Sequence, residues 1–316
     1  MFGDRSSIGR VSAGEAESCG FKSRRPPMEN ISLKLAIQKN GRLTEETISF
    51  LKQAGLEFES SNQRLYSYCK NFPLKIIYAR DNDIGGYTAG DAVDLGIVGQ
   101  NLLYEKISNV KKLLNLRFGF CTLIIAVPKE SKIKTDLDLN GLKIATSYPV
   151  STENYFNKKN IEVNIVKISG SVESAPALGI SDAVVDLIST GSTLAVNDLK
   201  VIDKIYESEA VLIVNPKALL NEKKKKLIDK LLRRFTAVLS ARSNKYILMN
   251  APEKILPKLK RIIPGLKSPT VSPLVLSGWI SVQTIIKEDV FWDVVDRLIK
   301  LGVQDIVVLP VEKLII

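Results

Sequence analysis

The stretch Glu173 to Leu194, ESAPALGISDAVVDLISTGSTL, carries residue types suited to holding a phosphorylated sugar. Its apolar run Ala183–Ile188, rich in β-branched side chains, has the composition of a buried strand, with Asp186 inside it. Ser189, Thr190, Gly191, Ser192 and Thr193 follow, and Leu194 opens a helix. In such a corner the unbonded N–H groups of the first helical turn and the helix macrodipole attract an anion, and the hydroxyls add donors. Gly191 lets the backbone come close. A plain capped turn uses the same residue types. The carboxylate of Asp186, five residues before the Gly, favours the sugar phosphate. It would repel a bare phosphate but can accept hydrogen bonds from sugar hydroxyls.

A second corner precedes it. Leu33–Ile37 reads as a strand, followed by a loop with Lys39, Gly41 and Arg42. Thr44 is placed to cap the next helix, with Ile48, Leu51 and Ala54 as its buried stripe and Gly55 at its end. Lys75–Ala79 is another strand, with Arg80, Asp81, Asn82 and Asp83 at its carboxyl end, where open α/β sheets bind ligands. Asp83 can bind there or cap the following helix. DLGIVGQNL (94–102) and DLISTGSTL (186–194) share one frame of Asp, Leu, Gly and Leu. That echo implies two similar lobes facing each other. The first copy lacks the hydroxyl run and is read as structural.

The remaining elements frame these corners. Phe120–Val127 carries the chain into a second lobe, built from Lys143–Thr146, Val163–Ile168 and the 173–194 stretch. Thr146 and Ser147 offer donors at another helix start. Ala210–Val214 returns to the first lobe. Lys223 to Lys226 form the wet side of an amphipathic helix whose apolar face is Leu227, Leu231, Phe235, Val238 and Leu239. The tail reads as strand Tyr246–Met249, a helix opened by Pro252 and running to Ile263, strands Thr270–Leu276 and Ile280–Ile286, helix Glu288–Lys300 and strand Ile306–Leu309. That order, βαββαβ, is a ferredoxin-like unit. The expected domains are therefore an extension at 1–27, a first lobe at 28–118 and 206–241, a second at 119–205, and a tail domain at 242–316.

Composition narrows the partners. The chain has 316 residues and a formal charge of +11, which suits anionic ligands. No run is long enough to span a bilayer, and aromatics are not interleaved with Lys and Arg as in nucleic-acid binders. Phosphorylated metabolites are the simplest partners, with neither nucleic acid nor membrane expected. Three scattered cysteines suggest a reducing cytoplasm and argue against a disulfide framework or a zinc site. With no histidine at all, imidazole bases, Ser-His-Asp triads and His-ligated metals are excluded.

Beyond the 173–194 stretch, IQKNGRL (37–43), ARDNDIGG (79–86), VDLGIVG (93–99), IATSYP (144–149) and VLPVEKLI (308–315) fall in order along the chain from Met28. In these segments the chain resembles ATP phosphoribosyltransferase, the first enzyme of histidine biosynthesis, in its long form. The resemblance implies a two-lobed, periplasmic-binding-protein-like catalytic core with a ferredoxin-like regulatory domain. It implies the transfer of phosphoribosyl from phosphoribosyl pyrophosphate to adenine N1 of ATP, with Mg2+ required but no protein metal ligand assigned. By that likeness Ser189, Thr190, Gly191, Ser192 and Thr193 hold the ribose 5-phosphate, and Asp186 and Glu173 the ribose hydroxyls. Lys39, Gly41, Arg42, Arg80 and Asp83 face the pyrophosphate or ATP phosphates, with Asp186, Glu173 and Arg42 counted as catalytic. Histidine is implied as a feedback inhibitor bound by the tail, with Ser272, Pro273 and Leu274 as candidate contacts, together with homo-oligomers from dimer to hexamer. The competing reading is a non-catalytic two-lobed module that binds small anions.

Overall fold

The computed structural model describes residues 31–60, 65–105, 109–189, 197–263 and 268–315. Within them the chain forms three sheets. Alternating apolar strands and amphipathic helices give the first two, each a mixed sheet buried on both faces.

The first sheet contains β1 (Leu33–Gln38), β2 (Tyr66–Tyr68), β3 (Leu74–Ala79), β4 (Leu95–Gly99), β5 (Lys111–Asn115) and β11 (Ala210–Val214), in the order β2-β3-β1-β4-β11-β5. Strand β1 runs parallel to β3 and β4, and β11 returns antiparallel between β4 and β5. Helices α1 (Thr44–Gln53), α2 (Asp81–Ala89) and α3 (Gln100–Glu105) follow β1, β3 and β4. The second sheet contains β6 (Cys121–Pro128), β7 (Lys143–Thr146), β8 (Asn164–Lys167), β9 (Ala183–Ile188) and β10 (Leu199–Ser208), in the order β10-β6-β9-β7-β8. Helix α4 (Pro149–Lys158) follows β7. Strand β10 stays in the second sheet through Ser208, so the return to the first lobe falls at Glu209, three residues later than expected.

The two sheets share one topology. Strand β7 lies parallel to β8 and β9, as β1 does to β3 and β4, and β6 and β10 stand where β11 and β5 stand. A backbone signature fixes the correspondence. Lys34 N–H donates to the Asp94 carboxylate and Asp94 N–H to the Lys34 carbonyl. Lys143 and Asp182 exchange the same two bonds. Asp94 therefore corresponds to Asp182, and Val98 to Asp186. The echo noticed in the sequence had paired Asp94 with Asp186, four residues out of register. The signal that carries the true frame is LKLAI (33–37) against LKIAT (142–146).

Helices α5 (Pro216–Leu220) and α6 (Glu222–Arg242) close the first lobe. Ile228, Leu231, Phe235 and Val238 of α6 are buried in the core that contains Phe50 and Leu33; Lys223, Lys225 and Lys226 are outside as expected, whereas Lys224 is half-buried and donates to the buried Asp94 carboxylate at 2.6 Å. The third sheet contains β12 (Asn244–Pro252), β13 (Thr270–Pro273), β14 (Trp279–Lys287) and β15 (Gln304–Pro310), all neighbours antiparallel in the order β13-β14-β12-β15. With α7 (Leu256–Ile262) and α8 (Glu288–Lys300) this is the ferredoxin-like βαββαβ order. Pro252 ends β12 rather than opening the helix. A 3-10 turn at Glu253–Ile255 follows, and Pro257 occupies the first turn of α7. Strand β13 stops at Pro273, because Leu274 N–H turns back to the Trp279 carbonyl.

Candidate active site

The loop after β1 is built by its own side chains. Leu43 N–H donates to Gln38 Oε1 at 2.9 Å, Thr44 N–H to the Gly41 carbonyl at 3.2 Å, and Lys39 N–H to the Ala79 carbonyl at 2.8 Å. The last bond ties this loop to the end of β3, so Lys39–Arg42 and Arg80–Asp83 share the carboxyl edge of two adjacent parallel strands. Gly41 has φ +134° and lies so close to the Gln38 amide that a Cβ there would clash at 2.4 Å. Thr44 does not cap α1. It is the first helical residue, Leu43 takes the cap position, and the buried Thr44 Oγ1 has no partner. Arg42 donates to the carbonyls of Gly119 and Phe120, in the segment that crosses to the second lobe. A guanidinium has five N–H donors, so these bonds fix its position without exhausting it.

On the second lobe Asp186 sits in β9, opposite Ile124. It accepts from Leu187 N–H at 2.8 Å. Burial pushes its carboxyl up to about 6; the Leu187 bond pulls the other way, and the negative charge of Glu173 adds to the rise. Glu173 lies in a 3-10 turn, Val172–Ser174, packed against β9, so the two acids are brought together. Ser189 is exposed at the end of β9. Thr190, Gly191, Ser192 and Thr193 lie outside the described residues.

Thr146 and Ser147 behave differently from expectation. Thr146 Oγ1 accepts Tyr148 N–H at 2.9 Å, and Ser147 Oγ donates to the Ile168 carbonyl at 2.7 Å. Both hydroxyls are spent on the fold. The N-terminal amides of α4 are also taken, from across the lobes: Val150 and Ser151 N–H donate to the two carboxylate oxygens of Glu105, each at 2.9 Å. Glu105 is the last residue of α3 and only 5% exposed. Tyr104 packs on Tyr206 beside it, with ring centroids 4.8 Å apart.

Glu105, outside the expected set, joins the two lobes by hydrogen bonds, and Asp81 and Tyr148 act on each other across them through charge. The Tyr148 hydroxyl is raised by burial first, then by the charges of Asp186 from its own lobe and of Asp81 from the other. Asp81 is itself raised by burial, against the pull of Arg42. Its Oδ1 is buried without a hydrogen-bond partner. The charges of Arg42 and Asp81 in the first lobe, and of Asp186 and Glu173 in the second, are thus linked through Tyr148. Arg80 is exposed and Asp83 half-buried, with Asp83 N–H bonded to the Arg80 carbonyl. Ser272, Pro273 and Leu274 lie in the third sheet's hairpin, Ser272 opposite Ser281.

Residues 80–237 match the family model of ATP phosphoribosyltransferase, and residues 241–313 match that of the HisG C-terminal domain. An ATP phosphoribosyltransferase from Cytophaga hutchinsonii is 43% identical over 283 residues, covering 90% of this chain and 98% of its own. The chain belongs to the ATP phosphoribosyltransferase family. A second member of that name, from Bacteroides thetaiotaomicron, is 40% identical over 284 residues, covering 90% of this chain and 100% of its own. Among solved structures, the ATP phosphoribosyl transferase (HisG:HisZ) complex from Thermotoga maritima matches with a TM-score of 0.54 and 28% identity, covering 65% of this chain and 98% of that one. The family is one of pentosyltransferases, and the chain is an enzyme of that class. Asp81 carried a weak signal in the sequence, standing in the acidic cluster after β3, whereas Tyr148 and Glu105 carried none.

Proposed function

We propose that the chain joins adenine N1 of ATP to C1 of phosphoribosyl pyrophosphate, giving phosphoribosyl-ATP and pyrophosphate, with the residues of this site in defined roles. The observation that carries this assignment of roles is the meeting of two like-built carboxyl edges. One bears Lys39, Gly41, Arg42, Arg80 and Asp83, the other Asp186 and Ser189, with Glu173 in the turn packed against β9. Asp186 and Glu173 accept the ribose hydroxyls, and Ser189, Thr190, Gly191, Ser192 and Thr193 hold the 5-phosphate. Lys39, Arg42 and Arg80 take the pyrophosphate or ATP phosphates. The displacement at C1 has a good leaving group and needs no protein nucleophile. Orientation and fixed charge carry the rate, which accords with a chain that has no histidine.

Mg2+ enters as the counter-ion of the substrate's pyrophosphate. Among the described residues no three His, Cys, Asp or Glu side chains come together as a metal cage, and no protein ligand to the ion is assigned. The tail domain, from 242 onward, binds histidine as the feedback inhibitor, with Ser272, Pro273 and Leu274 as candidate contacts, and supports homo-oligomers up to a hexamer. The enzyme works in the cytoplasm; among the described residues no helix is long and apolar enough to cross a membrane. A coupled assay with ATP, phosphoribosyl pyrophosphate and Mg2+, with and without histidine, tests both halves. Turnover suppressed by histidine supports core and tail. Turnover indifferent to histidine removes the tail assignment, and its absence from folded protein removes the enzyme assignment.

A further inference from the structure

Alkylating the adenine ring at N1 changes its charge. The N1 lone pair forms the bond to C1 as the C1–O bond to pyrophosphate breaks, and that electron pair leaves with pyrophosphate. Both hydrogens stay on the 6-amino group. The ring gains one positive charge, shared between N1 and N6, until a proton is lost to water. A carboxylate beside N6 would meet little charge in the ground state and nearly a full one at the end of the step. That is the condition for lowering the barrier rather than merely binding the substrate.

Asp186 and Glu173 stand on the lobe that holds the sugar. On the opposite lobe Asp81 opens α2 and is half-buried, and its charge is coupled to those of Arg42 and Tyr148. Its Oδ1 is buried with no donor among the described residues, a costly state for a carboxylate. Asp81, and not its neighbour Asp83, shares Tyr148 with Asp186. A sugar held at Asp186 therefore has Asp81 on the opposite lobe. Lys39 and Arg42 alone would make that side hostile to a cationic ring. Resting on the proposed reaction, we propose that Asp81 is a catalytic residue that receives the 6-amino group of ATP and stabilises the positive charge formed on the adenine during transfer.

The test uses the full chain and two readouts. In the first, Asp81→Asn keeps the shape and loses the charge, so kcat should fall on the order of 100-fold while KM for phosphoribosyl pyrophosphate stays within about twofold. In the second, the inhibition constants of AMP and 1-methyl-AMP, which carries the cationic ring with a methyl in place of the transferred phosphoribosyl group, are compared on unaltered protein. A preference for the cation of about tenfold or more is expected, and Asp81→Asn should erase it. Unchanged kcat in Asp81→Asn, or no preference for 1-methyl-AMP in the unaltered enzyme, overturns the proposal. The second readout stands even where the variant fails to fold. Failure of the reaction assignment shows separately, as absent turnover in the unaltered enzyme.

Discussion

The two lobes are one design executed twice, and their differences fall at the residues proposed for the chemistry. Apart from the short strand β2 of the first, in each a strand, a ten-residue helix, a second strand and a fifteen-residue crossover lead to the central strand, β4 in one and β9 in the other. The loop after β1 spans 39–43, whereas the one after β7 spans only 147–148. The additional length in the first lobe holds Lys39, Gly41 and Arg42. The crossovers are equal in length but not in content. Residues 80–94 form the nine-residue helix α2, while residues 168–182 form a 3-10 turn and further turns. Gly170, Ser171 and Gly179, all with positive φ, break the second crossover. Gly96 permits the first: a Cβ there would stand 2.8 Å from both Ile84 Cγ2 and Thr88 Oγ1. The second lobe has Val184 at the corresponding place, where it packs on Val172 and Ala175 of its crossover. A helix lies tight over β4 and buries Val98, whereas an open turn over β9 leaves its counterpart Asp186 half-buried beside Glu173.

The largest effect should come from making the second lobe like the first at this position. Asp186→Val is expected to lower turnover by on the order of 100-fold or more, while the protein becomes more stable at pH 7. The sign follows from the carboxyl being pushed up to about 6. The folded state binds that proton more tightly than the unfolded chain, so its contribution is fully present below the ordinary carboxylate value and is lost as pH rises through about 6. Near neutrality the ionised group costs stability, roughly 1–3 kcal/mol after allowing for its partial exposure. Chemical denaturation at pH 4 and pH 7.5 reads this directly. The gap between variant and parent should widen with pH, and a constant gap would show that Asp186 is not the titrating group. Activity should move the opposite way. KM for phosphoribosyl pyrophosphate should rise as pH falls below 6 in the parent, because a protonated acid accepts fewer ribose hydroxyls.

The converse exchange is next in size. Val98→Asp puts a carboxylate where the first lobe offers none of the openness of the second. Val98 is fully buried among Ala36, Ile84, Leu102 and Val211. A loss of about 3–4 kcal/mol in denaturant unfolding is expected, from desolvating an acid without a partner. A loss below 1 kcal/mol would mean that α2 is free to lift away. Gly96→Val isolates that contact. It should cost about 2 kcal/mol and raise KM for ATP as α2 and its leading Arg80–Asp83 are displaced. Gly96→Val with unchanged Tm and KM would sink the packing account of why the two crossovers differ.

How much of this was legible beforehand depended on the kind of signal. The strands, the long helix α6 and the ferredoxin-like order of the tail were written in apolar periodicity, which backbone geometry reads almost directly. Arg42 stood out as a cation in a Gly-containing loop after a strand, and Asp186 as an acid inside an apolar run. The frame relating the lobes could not be found from Gly and Leu matches, since such letters recur in any α/β corner. It lies in the bonds exchanged by Lys34 with Asp94 and by Lys143 with Asp182, which only pairing reveals. Thr44 and Thr146 misled in one way: a Thr near a helix start has the type of a cap or an anion donor, yet its position by a single residue decides whether it is either.

Glu105 is the feature no local pattern could expose, because its partners lie 45 and 46 residues away, in the other lobe. Its carboxylate serves as the side-chain cap that α4 lacks locally, since Tyr148 in the cap position makes no side-chain cap bond. The cap is thus a joint between lobes and a support for Tyr148, which faces both Asp81 and Asp186. Glu105→Ala should lower stability by only about 1 kcal/mol, the usual value of a lost cap. Its kinetic effect should exceed what that loss explains, with KM rising for both substrates as the second lobe loses its fixed angle. Glu105→Gln keeps one carbonyl acceptor and should recover part of the loss. Small-angle scattering would show the alanine variant as the more open of the two. Equal scattering profiles with equal KM values would reduce Glu105 to an ordinary helix cap that happens to come from another lobe.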